Sequence, residues 1–286
     1  MSETDQIRAK AKELLESKKV DCVIGYERAT DGKNARPMFA YNAQDADRLI
    51  FDQTCRHNLV KYLLNRKDKT SAIVVKPCDS RAINLLVNEH QLARDKVVII
   101  GVVCPGIVKT DWNQTGDKVR EACQLCQQRT PVVYDVLIGE PKKAEPPADA
   151  YPDVTAMEGK SWQEKQAFWE KEFSRCIRCY ACRQTCPGCY CGECFVDRLD
   201  PLWVGIRIAP PENEMWNTMR AFHLSGRCIG CNSCELVCPV NIPLSLLNRK
   251  LEKEVMRLFK YQPGMDPDTP QPLAAFQKDE KLGVGE

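Results

Sequence analysis

Histidine is scarce in this chain: three residues among 286, His57, His90 and His223. None lies in sequence beside a Ser or an acidic constellation, so acid–base hydrolysis has no support and a structural role is expected for each. No run of about 18 apolar residues occurs, which excludes a membrane-spanning helix. The N-terminal stretch MSETDQIRAKAKELLESKK lacks the apolar segment of a secretion signal, and a cytoplasmic setting with reduced thiols is expected. Charge is nearly balanced, 41 Lys and Arg against 39 Asp and Glu. A net charge of +2 points to neither nucleic acid nor an acidic membrane surface. The dinucleotide fingerprint G-x-G-x-x-G is also missing.

Cysteine, by contrast, is abundant, with 17 residues. In a reducing compartment many of these thiols are expected to bind metal. The stretch CIRCYACRQTCPGCYCGEC, from Cys176 to Cys194, is answered by CIGCNSCELVCP, from Cys228 to Pro239. Each half carries C-x2-C-x2-C-x3-C-P, the spacing that wraps three corners of a [4Fe-4S] cube and sends its fourth Cys to the other cube. That crossed rule assigns Cys176, Cys179, Cys182 and Cys238 to one cluster, and Cys228, Cys231, Cys234 and Cys186 to the second. Paired C-x2-C motifs also bind zinc, but zinc gives no reason for a third and fourth Cys at fixed offsets, twice. Pro187 and Pro239 end the two ligand runs. So many clusters suggest an anaerobic host.

Along the chain, residues 4 to 17 have helical periodicity with Thr4 as N-cap, and Val20 to Gly25 read as a strand containing a buried Cys22. A helix is expected over Ala46 to Leu64, with Cys55 and His57 inside it. Ala72 to Val75 and Val97 to Val103 are apolar runs separated by a helix from about Ser80, the pattern of a parallel sheet and a βαβ unit. Cys78 and Cys104 then fall beyond the carboxyl ends of their strands, the edge where open α/β sheets bind ligands. Cys123 and Cys126 form a further C-x2-C before a strand expected from Val132 to Ile138. These four thiols could hold a third [4Fe-4S] cluster, the alternative being buried or catalytic thiols beside a zinc pair. Asp79 and Arg81, next to Cys78, could tune a nearby centre or touch a flavin phosphate; Asp79 equally suits a helix start.

The fold expected is thus an α/β N-terminal domain with a small parallel sheet over 1–140, a linker over 141–160 and a mostly α-helical dicluster ferredoxin domain over 161–261. An extended tail, 262–286, completes the chain. Helices are expected over 162–174, with Trp162, Trp169 and Phe173 on one face, over Glu212 to His223, and from Pro243 to Tyr261. The long spacer 187–227 suits a helical dicluster unit better than a small ferredoxin. The tail, with Leu273, Phe276 and Leu282 as its few large apolar residues, would be disordered or lie along a partner.

The motifs CIRCYACRQTCP and HLSGRCIGCNSCELVCPVNIP resemble the helical [4Fe-4S] dicluster domain of heterodisulfide-reductase-type electron carriers. KPCDSRAI, IIGVVCPGI and the C-x2-C followed by YDVLIGE resemble the coenzyme F-420 hydrogenase/dehydrogenase beta-subunit family, over roughly residues 70 to 140. In that family the corresponding thiols serve a [4Fe-4S] cluster beside an FAD, which supports the same role for Cys78, Cys104, Cys123 and Cys126. Members that reduce the deazaflavin are longer, which weakens the expectation of FAD here. Cys189, Cys191 and Cys194 exceed what a dicluster motif needs. They could be three corners of a fourth cluster, with Cys55 a candidate for the missing ligand, or share the third cluster, or be spare thiols.

The function expected is an iron–sulfur electron-transfer subunit of an anaerobic multi-subunit oxidoreductase, of hydrogenase, formate dehydrogenase or heterodisulfide-reductase type. Its partners would be a flavoprotein or a hydrogenase/dehydrogenase subunit. The alternative is an FAD-containing subunit that exchanges hydride with NAD(P) or coenzyme F-420 and passes electrons to the clusters.

Overall fold

The computed structural model describes residues 1–110, 115–145 and 147–275. Helix α1 (Glu3–Glu16) opens on a capping box: Ser2 accepts from the Asp5 N–H while the Asp5 carboxylate accepts from the Ser2 N–H. The N-cap is therefore Ser2 rather than Thr4. Thr4 instead exchanges hydrogen bonds with the backbone of Phe51. Ile7, Ala11 and Leu14 form the buried face of α1.

Strands β1 (Cys22–Arg28) and β2 (Ala35–Ala40) form a hairpin, followed by the single turn α2 (Ala43–Ala46) and a 3-10 helix, Leu59–Asn65. No long helix fills 46–64. Ile50 bridges Tyr26 in strand fashion, and the Asp52 carboxylate holds the Thr54 N–H and Arg28. The apolar residues here are buried by a tucked loop, which helical periodicity cannot distinguish from a helix. Then come β3 (Ser71–Val75), α3 (Pro77–Asn88) and β4 (Val97–Val102). Pro77 occupies the first turn of α3, where its missing N–H costs nothing. A small hairpin, β5 (Val108–Thr110) with β6 (Thr115–Val119), leads into α4 (Glu121–Gln124) and the short β7 (Val136–Ile138). The expected strand from Val132 is cut short because the Val132 N–H donates to Ser80 Oγ and the Asp135 carboxylate accepts the Ile99 N–H.

The main sheet runs β2-β1-β3-β4-β7. β2 is antiparallel to β1 and the other pairs are parallel, so the sheet is mixed at one edge rather than wholly parallel. Every side chain of β3 is buried, as a central parallel strand requires.

The linker is not wholly extended. It holds α5 (Pro152–Glu158), which Arg249 to Asp153 (2.8 Å) and Lys250 to Glu158 (2.6 Å) fasten to the later α10 (Leu244–Phe259). Between them lie α6 (Trp162–Ser174), α7 (Ala181–Thr185), α8 (Pro210–His223) and α9 (Ser233–Leu236). In α6, Trp169 stacks on Phe173 at 5.2 Å, whereas Trp162 is 71 % exposed and leaves that face.

The described part of the tail meets α3 through its carbonyls. Arg81 Nε donates to the Pro263 carbonyl (2.9 Å), Asn84 to Gly264 (3.1 Å) and Asn88 to Pro267 (2.8 Å). Gly264 has φ +72, and a Cβ there would stand 2.1 Å from the Arg81 carbonyl oxygen. Phe276 and Leu282 lie outside the described residues. Among the described residues, no helix is long and apolar enough to cross a membrane.

Candidate iron–sulfur sites

The two cysteine runs fold as repeats of one backbone path. Positive φ occurs at Arg178 and Tyr180 in the first and at Gly230 and Asn232 in the second, at matching offsets from the leading Cys. Each loop then enters a short helix, α7 or α9, that ends near its fourth Cys. Gly230 takes the left-handed conformation at little cost, whereas Arg178 must be held in it. Its buried guanidinium does so, donating to the carbonyls of Gly205 (2.6 Å) and Ile206.

Cys182 has Cys176, Cys179 and Cys238 as electrostatic neighbours. Cys234 faces Cys186 and Cys231, and Cys228 faces Cys234 and Cys231. One small cavity is lined by Cys186, Cys228, Cys231 and Cys234 together. Burial pushes the Cys234 thiol up to about 12, so a centre assembling here must displace protons. Around the sulfurs, the Ile242 N–H donates to Cys238 Sγ (3.4 Å) and Asn248 approaches Cys234 Sγ at 3.9 Å. Arg220 of α8 lies between the two sets, donating to the Cys182 carbonyl (3.1 Å) and lining the cavity of the second set. Burial opposes its charge, but the thiols of Cys234, Cys186, Cys189 and Cys182 hold it well above the ordinary value. Its Nε–H has no hydrogen-bond partner.

The N-terminal thiols also meet. Cys78 stands in the first turn of α3, three residues after β3, and Cys104 follows β4. Cys104 has Cys123 and Cys126 as electrostatic neighbours, and Cys78 has Cys104 and, across the fold, Cys231. The set therefore stands beside the second ferredoxin-type set. Gly106 permits the close turn, since with φ +109 a Cβ would come within 2.9 Å of Val119.

Beneath this set lies a residue the sequence reading missed, Lys76. Only 2 % of its side chain is exposed; it pairs with the buried Asp79 at 2.7 Å, donates to the His57 carbonyl at 2.8 Å and meets the Tyr26 hydroxyl. Burial works against its charge, but Asp79 and Tyr26 hold it above the usual lysine range. The only signal in the sequence was a lysine closing an apolar strand just before a proline. Asp79 serves as helix start and as counter-ion to Lys76, and Arg81 donates to the Pro263 carbonyl of the tail.

Cys22 is a core residue, as expected, and so is Cys55. The Asp52 N–H donates to Cys55 Sγ (3.4 Å), and burial pushes this thiol up to about 12. Cys55 is not among the residues that line the cavity of Cys189, Cys191 and Cys194. Those three line a cavity of about 390 Å³ with Lys61, Arg183 and His223. His57 is packed against the core, and burial lowers it to about 4. Among the described residues, no three His, Cys, Asp or Glu side chains converge closely enough to hold a single metal ion, the geometry a zinc site would need.

Two larger features flank the thiol sets. A cavity of about 930 Å³ opens between α4 and the second ligand loop, with Arg56, Lys109, Arg120 and Arg249 on its walls. The loop pinned by Arg178 exposes Leu199, Leu202, Trp203, Ile206 and Ile208, with Ile177 and the exposed Cys179 beside its anchor.

Crossed thiolate repeats on a helical unit, joined to an α/β unit with a further thiol set, define an iron–sulfur electron-transfer subunit of a multi-subunit oxidoreductase. Comparison with known proteins agrees: residues 224–243 match the profile of a 4Fe-4S binding domain. The chain is similar to the F420-dependent formate dehydrogenase subunit beta of Methanocaldococcus jannaschii, 24% identical with 92% of each chain covered. It is also similar to the F420-dependent formate dehydrogenase 1 subunit beta of Methanococcus maripaludis, 26% identical over 93% of this chain and 92% of that one. The likeness thus extends far beyond the stretch 70 to 140. The alignments, 355 and 363 positions long, exceed this 286-residue chain, so both relatives carry segments that it lacks.

Proposed function

We propose that this chain is the electron-relay subunit of a formate-dehydrogenase-type complex, holding three [4Fe-4S] clusters in series. Cys78, Cys104, Cys123 and Cys126 would ligate one; Cys186, Cys228, Cys231 and Cys234 the next; Cys176, Cys179, Cys182 and Cys238 the last. The observation that carries this reading is the packing of Cys231 against the N-terminal core, which brings the ferredoxin-type pair beside the α/β set. Bound cubanes supply one-electron exchange. The protein's part is to fix their order, shield them from water and surround them with cations such as Arg220 and Lys76.

The exposed apolar loop at 199–208 supports a protein partner at the Cys179 end, since contiguous apolar surface of this kind marks interaction sites. Anaerobic purification with iron and sulfide analysis tests the proposal: at least about twelve irons per chain are expected from three cubanes. A colourless, zinc-containing preparation refutes it.

The second reading adds FAD. Its support is the 930 Å³ cavity, large enough for a nucleotide cofactor, whose walls carry Arg56, Lys109 and Arg120 beside the carboxylates Glu121, Asp153 and Glu235, and which adjoins both Gln124, next to Cys123, and Asn232, next to Cys231. Hydride exchange with coenzyme F-420 or NAD(P) would then occur in this subunit. Acid release of flavin near one equivalent per chain would establish it; less than a tenth of an equivalent would leave the simple relay.

A further inference from the structure

Cys189, Cys191 and Cys194 lie outside the three sets above, yet the fold gathers them on one cavity of about 390 Å³. We propose that this cavity holds a further iron–sulfur cluster, ligated by the three thiolates and by His223. The inference rests on the chain being an iron–sulfur protein but adds a centre and a ligand type that the crossed motif does not contain.

The argument begins with charge. A thiolate-bound cluster is anionic, and the cavity is lined by Lys61, Arg183, Arg220 and Arg227, with Asp197 as its one carboxylate. Two of these cations have other acidic partners: Arg183 pairs with Asp197 at 2.7 Å and Arg227 with Glu89 at 2.5 Å. Lys61 donates to the Cys189 carbonyl. Arg220, 4 % exposed, lines the cavity with an unpartnered Nε–H, an orphan donor of the kind a buried acceptor such as a cluster sulfide would satisfy. Arg183 also lies beside the Cys194 thiol.

The fourth ligand follows by elimination among the side chains that line the cavity. Cys55 is sequestered in the N-terminal core. Asp197 is held by Arg183, and the Tyr190 hydroxyl donates to Glu89 (2.7 Å). His223, the last residue of α8, remains. Its ring stands edge-on to Phe195 with centroids 5.2 Å apart, and Phe195 directly follows Cys194 in the chain. A neutral imidazole in place of a fourth thiolate makes the site less negative. Histidine ligation of this kind raises the potential in Rieske centres.

The position suits a terminal station. The Cys189 backbone N–H donates to the carbonyl of Cys186, a member of the second set, at 3.2 Å, and Cys191 is exposed, so the site connects the relay to the surface.

The test compares the anaerobically purified full chain with Cys191→Ser and His223→Ala, using iron and sulfide content and pulsed EPR on protein containing ¹⁵N-histidine. Cys191 is exposed, so its replacement should leave folding intact. Cys191→Ser should lose about four irons per chain and one reduced-state signal, leaving the remaining signals unchanged. Wild type should show a directly coupled histidine nitrogen that His223→Ala abolishes. Undiminished iron in Cys191→Ser, zinc at the site, or no nitrogen coupling in wild type overturns the proposal. Each of these leaves the three-cluster relay standing; a wild type without iron would fail both.

Discussion

Lys76→Met isolates the electrostatics beneath the α/β thiol set. Both members of the Lys76–Asp79 pair are buried, at 2 % and 0 % exposure and 2.7 Å apart. Removing one partner strands the other, and breaking such a pair costs about 3–5 kcal/mol. For a unit of this size that corresponds to a fall of roughly 6–20 °C in unfolding temperature. The double variant Lys76→Met/Asp79→Asn removes both charges, and Asn can still accept the Lys76-position backbone N–H that Asp79 now accepts at 3.1 Å. It should therefore recover much of the loss, an interaction that a double-mutant cycle reads directly. Anaerobic thermal scans at one fixed rate make the comparison, because cluster loss renders unfolding irreversible. The charge argument also fixes a redox sign: losing the cation disfavours the more negative reduced state, so the single variant should shift the nearest cluster to lower potential and the double variant less. A single-variant cost below about 1 kcal/mol, typical of exposed pairs, or a double variant no better than the single, would refute the reasoning.

Four further outcomes follow from the same structure. Gly264→Ala places a Cβ against the Arg81 carbonyl at positive φ and should weaken tail docking by about 2–4 kcal/mol; hydrogen exchange over 262–275 should accelerate more than tenfold, and unchanged protection would contradict the docked geometry. His57 is depressed to about 4 by burial, so the unfolded chain binds its proton first and stability should fall as pH drops from 6.5 towards 4; His57→Gln should flatten that slope in acid titrations of stability. Cys231→Ser should remove one ferredoxin-type cluster while the signal of the Cys78 set persists with altered spin coupling, given their proximity; loss of all signals together would deny separate sites. Trp203→Glu should weaken association with a partner subunit at least tenfold in pull-down titrations without changing iron content; unchanged affinity would remove the loop from the interface.

Much of the candidate site was legible in the chain because its information is local. Ligand loops wrap a cube over a few residues, so C-x2-C-x2-C-x3-C-P carries both the chemistry and the crossed assignment, and the buried strands β3 and β4 announce themselves as apolar runs. Where apolar residues are buried by a folded loop, as over 46–64, periodicity misleads. The tail likewise has too little apolar surface to fold alone, yet its carbonyls meet Arg81, Asn84 and Asn88 on α3.

By itself, then, the sequence determined that the chain carries iron–sulfur ligand motifs and that an α/β unit precedes them. Tertiary structure alone decided that Cys231 packs against the N-terminal core, that Lys76 is buried against Asp79, that Cys55 lies in that core and not on the cavity of Cys189, Cys191 and Cys194, and that Arg220 stands among the thiols. The reason is physical: a backbone loop fixes spacing over a handful of residues, but the burial of a charge or the seating of Cys231 against the N-terminal core depends on how whole elements pack.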